Sequence, residues 1–412
     1  MERYAGILFR YRTADFARSG DFPAATADPD WPFGYERLRP FYDELERKLG
    51  IARDSGADPT EPPSCPPVMP PHQPSLLGTR INAAFDDLDT GHFPTPLGIN
   101  SQPYGGRPAC SHCGFCNGTA CPTGAKASML RVHEAPGDTV LVQGARAEAI
   151  HVGVNGEATA VECVDAMHGS RAQVRARTFI LAAGALNTCA LLLRSTSRLH
   201  PHGLGNARNQ VGKGIQFKLT GYATTLDPAL TSEDGPTLYS TTATTDYYEQ
   251  LPIDGCGGLI YESAVPNEPH MARVHFVVAE SPMIGNSVMP ARFGRPGPNV
   301  IIQHEYLDDD VKRLRSLGAV SQEVLARVNP AVDMVEEPNS TGRAHLAGGC
   351  RSGTDPYASV VDSNGRLHDS DNVYIVDASF FPYAAAVNPT FTIMANSLRI
   401  SRALTTNHSG AS

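Results

Sequence analysis

The sequence predicts a mixed α/β chain with an α+β layout, and three stretches carry that prediction. Residues 175–194 read as an apolar strand that ends in Ala182-Ala183-Gly184 and passes directly into a helix. Residues 220–310 alternate polar and apolar side chains between Gly and Pro interruptions, the pattern of an antiparallel sheet with one covered face. Residues 372–404 read as a strand, a turn and a helix with an apolar stripe. At 412 residues the chain exceeds one simple core, so two intimately joined domains are expected.

The elements follow in order. Met1 to Phe16 is short, aromatic and basic, a strand or loop entering a structure already under way. Pro40 to Leu49 reads as a helix, with Phe41, Tyr42, Leu45 and Leu49 at helical spacing, Pro40 in the first turn and Gly50 as the stop. Trp31 and Tyr42 supply the buried area that such aromatics usually give a core. Eight prolines between Pro59 and Pro74 forbid both a helix and a central strand, which makes 54–75 a surface loop or linker. Strands are expected over 138–142, 145–151, 158–165 and 175–181, and a helix over 186–194. Asp308 to Asn329 reads as a helix with an acidic start and the stripe Val311, Leu314, Leu317, Val320, Val324, Leu325.

Composition removes several function classes. A net charge of −9 argues against nucleic acid or an anionic membrane surface as partner. No apolar run approaches the roughly 18 residues that a membrane span needs. The N-terminus lacks the layout of a signal peptide, and nine cysteines, an odd number, fit a reduced, cytoplasmic setting better than a disulfide framework.

Cys110, Cys113, Cys116 and Cys121 sit on one short loop, nearly in the spacing of the bacterial ferredoxin run but with the last gap one residue longer. Three readings stand side by side. The thiolates can hold an iron–sulfur cluster, they can close a structural zinc site, or the loop is a tight turn of small residues with no metal.

The C-terminal stretch carries the chemistry. It reads His345-Leu-Ala-Gly-Gly-Cys-Arg-Ser-Gly, then Asn372-Val-Tyr-Ile-Val-Asp377-Ala378, then Val387-Asn388-Pro389-Thr390. His345 and Asn388, 43 residues apart, bracket a buried-looking strand that ends in Asp377. Asn388 followed by Pro also fits a helix N-cap. This stretch resembles the C-terminal signature of the glucose–methanol–choline (GMC) flavoprotein oxidoreductases. Leu181 to Ser195 resembles the family's L-A-A-G-A flavin-domain element, and Val211-Gly-Lys-Gly214 resembles a family crossing segment. Trp31-Pro and the cysteine loop resemble elements of the gluconate and sugar dehydrogenase branch, whose members carry a cysteine-rich, cluster-bearing insertion near this place. Two departures stand out. The family's H-x-x-G-T-x-R-M-G has Gly349 and Ser352 in place of Thr and Met, and Phe217-Lys218 stands where many members place a His.

The resemblance implies a two-domain flavoprotein: a mixed FAD-binding domain and an antiparallel-sheet substrate domain. By segment it divides into 1–105, 106–200 (cysteine loop and flavin-domain segment), 201–340 (substrate sheet) and 341–412 (catalytic segment). It implies FAD as cofactor, a small alcohol or sugar as substrate, and oxidation of CH–OH to a carbonyl. His345 would be the general base and Asn388 would orient the substrate hydroxyl. Ala147 would lie beside the adenine, Ala182, Ala183 and Gly184 beside the dinucleotide, and Asp377, Ala378, Asn388, Pro389 and Thr390 along the ribityl and ring.

One family feature is missing. No G-x-G-x-x-G turn opens the chain, and neither Gly203-x-Gly205 nor Gly212-x-Gly214 replaces it. The FAD-binding domain is therefore expected to be incomplete at its N-terminus. A truncated form, or one part of a split enzyme whose partner chain supplies the pyrophosphate-binding βαβ unit, accounts for this. The competing class is a flavin-less scaffold or iron–sulfur electron-transfer subunit.

Overall fold

A computed structural model describes residues 6–22, 26–113, 121–124, 139–230, 238–249, 257–265, 268, 270–291, 300–330, 332–336 and 344–409. Its elements in chain order begin with helix α1 (Arg39–Leu49), α2 (Leu76–Asp87) and strand β1 (Phe93–Pro94). The hairpin strands β2 (Ala145–Val152), β3 (Ala158–Asp165) and β4 (Arg171–Arg175) lead to β5 (Phe179–Leu181) and α3 (Ala185–Arg194). Then come β6 (Lys213–Leu226), β7 (Thr242–Thr244), β8 (Gly258–Glu262), β9 (Met271–Val278), β10 (Ser287–Pro290) and β11 (Val300–Gln303). Helix α4 (Asp308–Val328), β12 (Val332–Glu336), β13 (Ala344–Gly349), β14 (Val373–Ile375) and α5 (Thr390–Ser409) complete the chain.

Three sheets result. A nine-stranded sheet runs β1-β7-β8-β9-β6-β10-β11, with β12 and β13 also paired to β6. A second sheet pairs β5 with β14 in parallel, and a third orders β2-β3-β4. The large sheet is organised on β6, 14 residues long and antiparallel to β9, β10, β12 and β13. Alternation gives it two faces. One carries Leu219, Ala223, Ile260, Phe276 and Val278, packed with Leu77 and Phe85 of α2 and Leu314, Leu317 and Leu325 of α4. The other carries Lys218, Tyr222, His275 and Tyr261, because Tyr222 pairs with His275 and His275 with Tyr261 in register.

Leu317 lies wholly inside the apolar layer. Leu317→Ala is expected to lower unfolding free energy by about 2–5 kcal/mol, read by denaturant titration, because it deletes methyls from a packed interior. A loss under about 1 kcal/mol would show that the helix is not docked on this face.

Several expectations hold and several move. α1 and α4 form where the stripes predict, and Gly50 ends α1 at φ +69°. Trp31 and Tyr42 are buried, Trp31 packing 4.7 Å from Phe381 and the Tyr42 hydroxyl donating to Thr392 at 2.6 Å. The strand expected over 175–181 divides into β4 and the short β5, and 139–144 joins no strand. Residue 138 lies outside the described residues. β4 escaped the sequence because all five of its residues are exposed, so no alternation marks it. The proline-rich segment is a loop, pinned by Arg53, whose guanidinium binds Glu61 at 2.7 Å and Glu46 at 3.0 Å.

Candidate active site

β13 lies against β6 with Ala344 opposite Lys218 and Ala347 opposite Gln216, and the register shifts between these two pairs. His345 sits in that irregularity at φ +55°, a left-handed conformation few non-glycine residues adopt. Such bulges re-aim a side chain beside functional sites. Gly348 and Gly349 follow at φ +77° and +93°. A Cβ at Gly349 would stand 2.5 Å from the Cys189 sulfur, which explains why the family's threonine is absent here.

The second segment arrives from β14. Ala384 N–H donates to Gln216 Oε1 at 2.9 Å and Gln216 Nε2 donates to the Pro382 carbonyl at 3.0 Å, which fixes 382–384 on β6. Asn388 follows, and its Nδ2 lies 3.3 Å from His345 Nε2. With the amide donating, Nε2 keeps the lone pair a proton acceptor needs. Asn388 is not the N-cap of α5: the helix starts at Thr390 and Ile393 N–H bonds to the Pro389 carbonyl. Pro389 takes the capping position, and the Asn388 side chain faces the histidine instead.

Burial first, and then the neighbouring Lys218 and His275, hold the His345 imidazole well below its usual range. Burial pushes the Lys218 amine well below the ordinary lysine range, with Asp15 opposing from a distance. His275 is pushed down to about 3, by burial and then by Arg273; its Nδ1 pairs with the Tyr261 hydroxyl, and its ring stacks on Tyr222 with centroids 4.4 Å apart. Lys218 Nζ, His275 Nε2 and His345 Nδ1 are buried with no hydrogen-bond partner among the described residues. The sequence marked Phe217-Lys218 only as a departure from the family's His and gave it no role, and no motif held His275. Their signal was a lone cationic or imidazole side chain inside an apolar strand run, Ile215-Gln-Phe-Lys218-Leu and Val274-His275-Phe.

Asp377 ends the strand segment as expected and joins it to the β5–α3 turn. Its Oδ2 accepts from Gly184 N–H at 2.9 Å and Thr188 Oγ1 at 2.5 Å, and its Oδ1 from Ser379 N–H at 2.9 Å and Ser379 Oγ at 2.6 Å. Ala182 and Ala183 are exposed, and Gly184 at φ +84° has open space where a Cβ would stand. Ala378 and Pro389 are buried and Thr390 is half-buried. Ala147 is exposed on β2, paired with Cys163, in the separate three-stranded sheet.

Of the loop cysteines, Cys110 and Cys121 are half-buried and Cys113 is exposed, while Cys116 lies outside the described residues. Cys110 Sγ accepts from His112 N–H at 3.4 Å, and Cys121 Sγ lies 3.2 Å from Thr123 Oγ1. Among the described residues no three His, Cys, Asp or Glu side chains converge as a metal site. A solvent-open pocket lies elsewhere, between the N-terminal segment (Leu8 to Arg12) and the proline-rich loop. Its Arg10 and Arg53 are already paired with acids, and neither His345 nor Asn388 lines it.

GMC oxidoreductase family models match residues 96–220 and 295–397. The 6'''-hydroxyparomomycin C oxidase of Streptomyces lividus is 36% identical, over 97% of this chain and 77% of that protein. The chain is a GMC oxidoreductase. Further relatives of this GMC protein are paromamine 6'-oxidase of Streptomyces fradiae, 34% identical over 97% of this chain and 76% of that one, and 2-methyl-1,2-propanediol dehydrogenase of Mycolicibacterium austroafricanum, 29% identical over 96% and 78%. The solved structure of pyridoxine 4-oxidase from Mesorbium loti matches the fold with a TM-score of 0.67 at 19% identity, covering 97% of this chain and 82% of that one. The GMC chain is thus an FAD-dependent oxidoreductase acting on CH–OH groups. The matches add no support to a truncated or split enzyme, a partner chain or an iron–sulfur cluster. Among the described residues no helix is long and apolar enough to cross a membrane.

The residues fit a flavin on two counts. The exposed Ala182-Ala183-Gly184 surface at the carboxyl end of a parallel strand, just before the α3 N-terminus, lets a dinucleotide approach the backbone. Lys218 Nζ, His275 Nε2 and His345 Nδ1, buried without partners among the described residues, are polar groups that a bound ring and substrate would satisfy.

Proposed function

We propose that this GMC oxidoreductase oxidises a hydroxyl of a sugar, polyol or amino-sugar glycoside, with His345 as the base and Asn388 as the group that holds the substrate oxygen. The 3.3 Å contact between Asn388 Nδ2 and His345 Nε2 carries the reading. FAD, when bound, supplies the hydride acceptor. His345 Nε2 takes the hydroxyl proton as the hydride leaves carbon, and a neutral imidazole suits that transfer. Asn388 exchanges its bond to His345 for one to the substrate oxygen and stabilises the negative charge developing there.

In the same reading Ala182, Ala183, Gly184, Asp377, Ala378, Pro389 and Thr390 line the cofactor, and Ala147 stands near its adenine. Two relatives named for oxidation of paromomycin-type compounds support the amino-sugar class, and the propanediol dehydrogenase supports a polyol. The test is flavin bleaching under argon with paromamine, methyl β-glucopyranoside and 2-methyl-1,2-propanediol, followed by reoxidation with oxygen or a dye. Bleaching by none of the three, with flavin bound, would overturn the substrate reading. The faster reoxidant separates oxidase from dehydrogenase.

A further inference from the structure

We propose that Lys218 is a specificity-determining residue that binds a second hydroxyl of the substrate, so that polyhydroxylated alcohols are selected over simple alkanols. This rests on the reading of His345 and Asn388 as the group that holds the reacting hydroxyl.

Lys218 is 1% exposed, and its Nζ meets no hydrogen-bond partner among the described residues. A lysine rarely occupies such a position without a partner, because leaving a buried polar group unpaired is costly. Its neighbours say where the amine works. Lys218 stands opposite Ala344 in the β6–β13 register, one residue from His345. It also shares a sheet face with Tyr222 and His275, away from the apolar layer under α4. His275 adds a second orphaned nitrogen, Nε2, on that face, and the Tyr261 hydroxyl and the Tyr222 ring fix the imidazole in place.

The site thus holds two polar loci on adjoining strands, Nε2 of His345 with Asn388, and Nζ of Lys218, while His275 lies four residues further along the same face, opposite Tyr222. The second locus fits a hydroxyl better than an anion. Burial disfavours the ammonium form, and the amine donates an N–H to a hydroxyl oxygen in either protonation state. An alkanol leaves the Lys218 amine unpaired, and sites that lose a buried hydrogen bond discriminate strongly.

The experiment compares methyl β-glucopyranoside with cyclohexylmethanol, both primary alcohols on a six-membered ring, using flavin-loaded enzyme. The unaltered enzyme is expected to favour the glucoside by roughly 100-fold in kcat/KM. Lys218→Met, similar in length without an N–H, is expected to lower glucoside kcat/KM by roughly 30- to 100-fold, mainly through KM, and to change cyclohexylmethanol by less than about threefold. Lys218→Gln, which keeps a donor, recovers part of the preference. Calorimetric titration with the glucoside reads the same loss as binding. Equal losses on both alcohols, no change on either, an unaltered enzyme without preference for the glucoside, or a stronger preference for D-gluconate would each overturn the proposal. His345→Asn separates the two ideas: if it abolishes turnover while Lys218→Met is silent, the base reading stands and the Lys218 assignment falls.

Discussion

His345→Asn lowers kcat/KM for the alcohol by roughly 10²- to 10⁴-fold, the range a positioned general base supplies, while the fold and the bound flavin are retained. Asparagine tolerates the left-handed backbone that His345 adopts at φ +55°, so the substitution removes the base without adding strain. The loss should lie in kcat as well as kcat/KM, because the interaction belongs to the transition state. A variant within about threefold of the parent would remove His345 from the mechanism.

The pH profile gives an independent reading. Lys218 on β6 and His275 on β9 face His345, and with burial they hold its imidazole well below the usual range. The protonated ring cannot accept a proton, so activity is lost only on the acid side of the folded-state value. The plateau of kcat/KM is therefore expected to run through pH 6.5 and fall further to acid. An acid limb centred above 6.5 would contradict the assignment. Stability shifts in the same direction. Unfolded histidine takes up its proton near pH 6.5, whereas buried His275 resists until about 3. Its contribution is whole above 6.5 and is lost as pH falls toward 3, by on the order of 2–3 kcal/mol at about pH 4.5. His275→Gln should flatten that part of the acid decline in a thermal scan.

The legible parts of this chain were those where a local pattern and its fold position coincide. His345, Asn388 and Asp377 stood out because three separated motifs matched one family, and the structure brings the first two within 3.3 Å. The stripes of α1 and α4 were readable because their apolar faces are what the core uses. Lys218 was not readable as part of the site. Its neighbourhood depends on the pairing of β6 with β13, 126 residues apart, and on a bulge at His345. Strand register of that kind leaves no trace in local sequence. Helix α2 was missed behind the proline run, although Ser75 caps it by accepting from Gly78 N–H at 2.8 Å and Leu77, Ile81, Ala84 and Phe85 lie at helical spacing. Gly349 shows the reverse case: a departure from the motif became intelligible only through its φ of +93°.

Asp377→Ala is expected to release flavin and to lower stability together. The carboxylate is 6% exposed and accepts four hydrogen bonds, two from Gly184 and Thr188 at the start of α3 and two from Ser379. It therefore joins the two segments of the candidate cofactor surface, which are otherwise linked here by the short β5–β14 pair. Its negative charge also lies at the N-terminus of α3, where the helix dipole favours it. Alanine leaves two backbone N–H groups and two hydroxyls without their acceptor, with Thr188 and Ser379 wholly buried. Bonds to a charged group contribute about 1.5–3 kcal/mol each but are not additive, so a total near 3–5 kcal/mol is expected. The Ala182-Ala183-Gly184 turn would lose its anchor first, because Gly184 has no side chain to hold it in place. Flavin should accordingly dissociate well below the temperature at which the chain unfolds, and absorbance after gel filtration, set against a calorimetric melt, reads the two events separately. Asp377→Asn keeps the shape and one good acceptor, and should retain flavin better than alanine while still melting earlier than the parent. If the alanine variant kept full flavin occupancy and the parental melting temperature, the carboxylate would not be the tie between β14 and α3, and the cofactor surface would need another explanation.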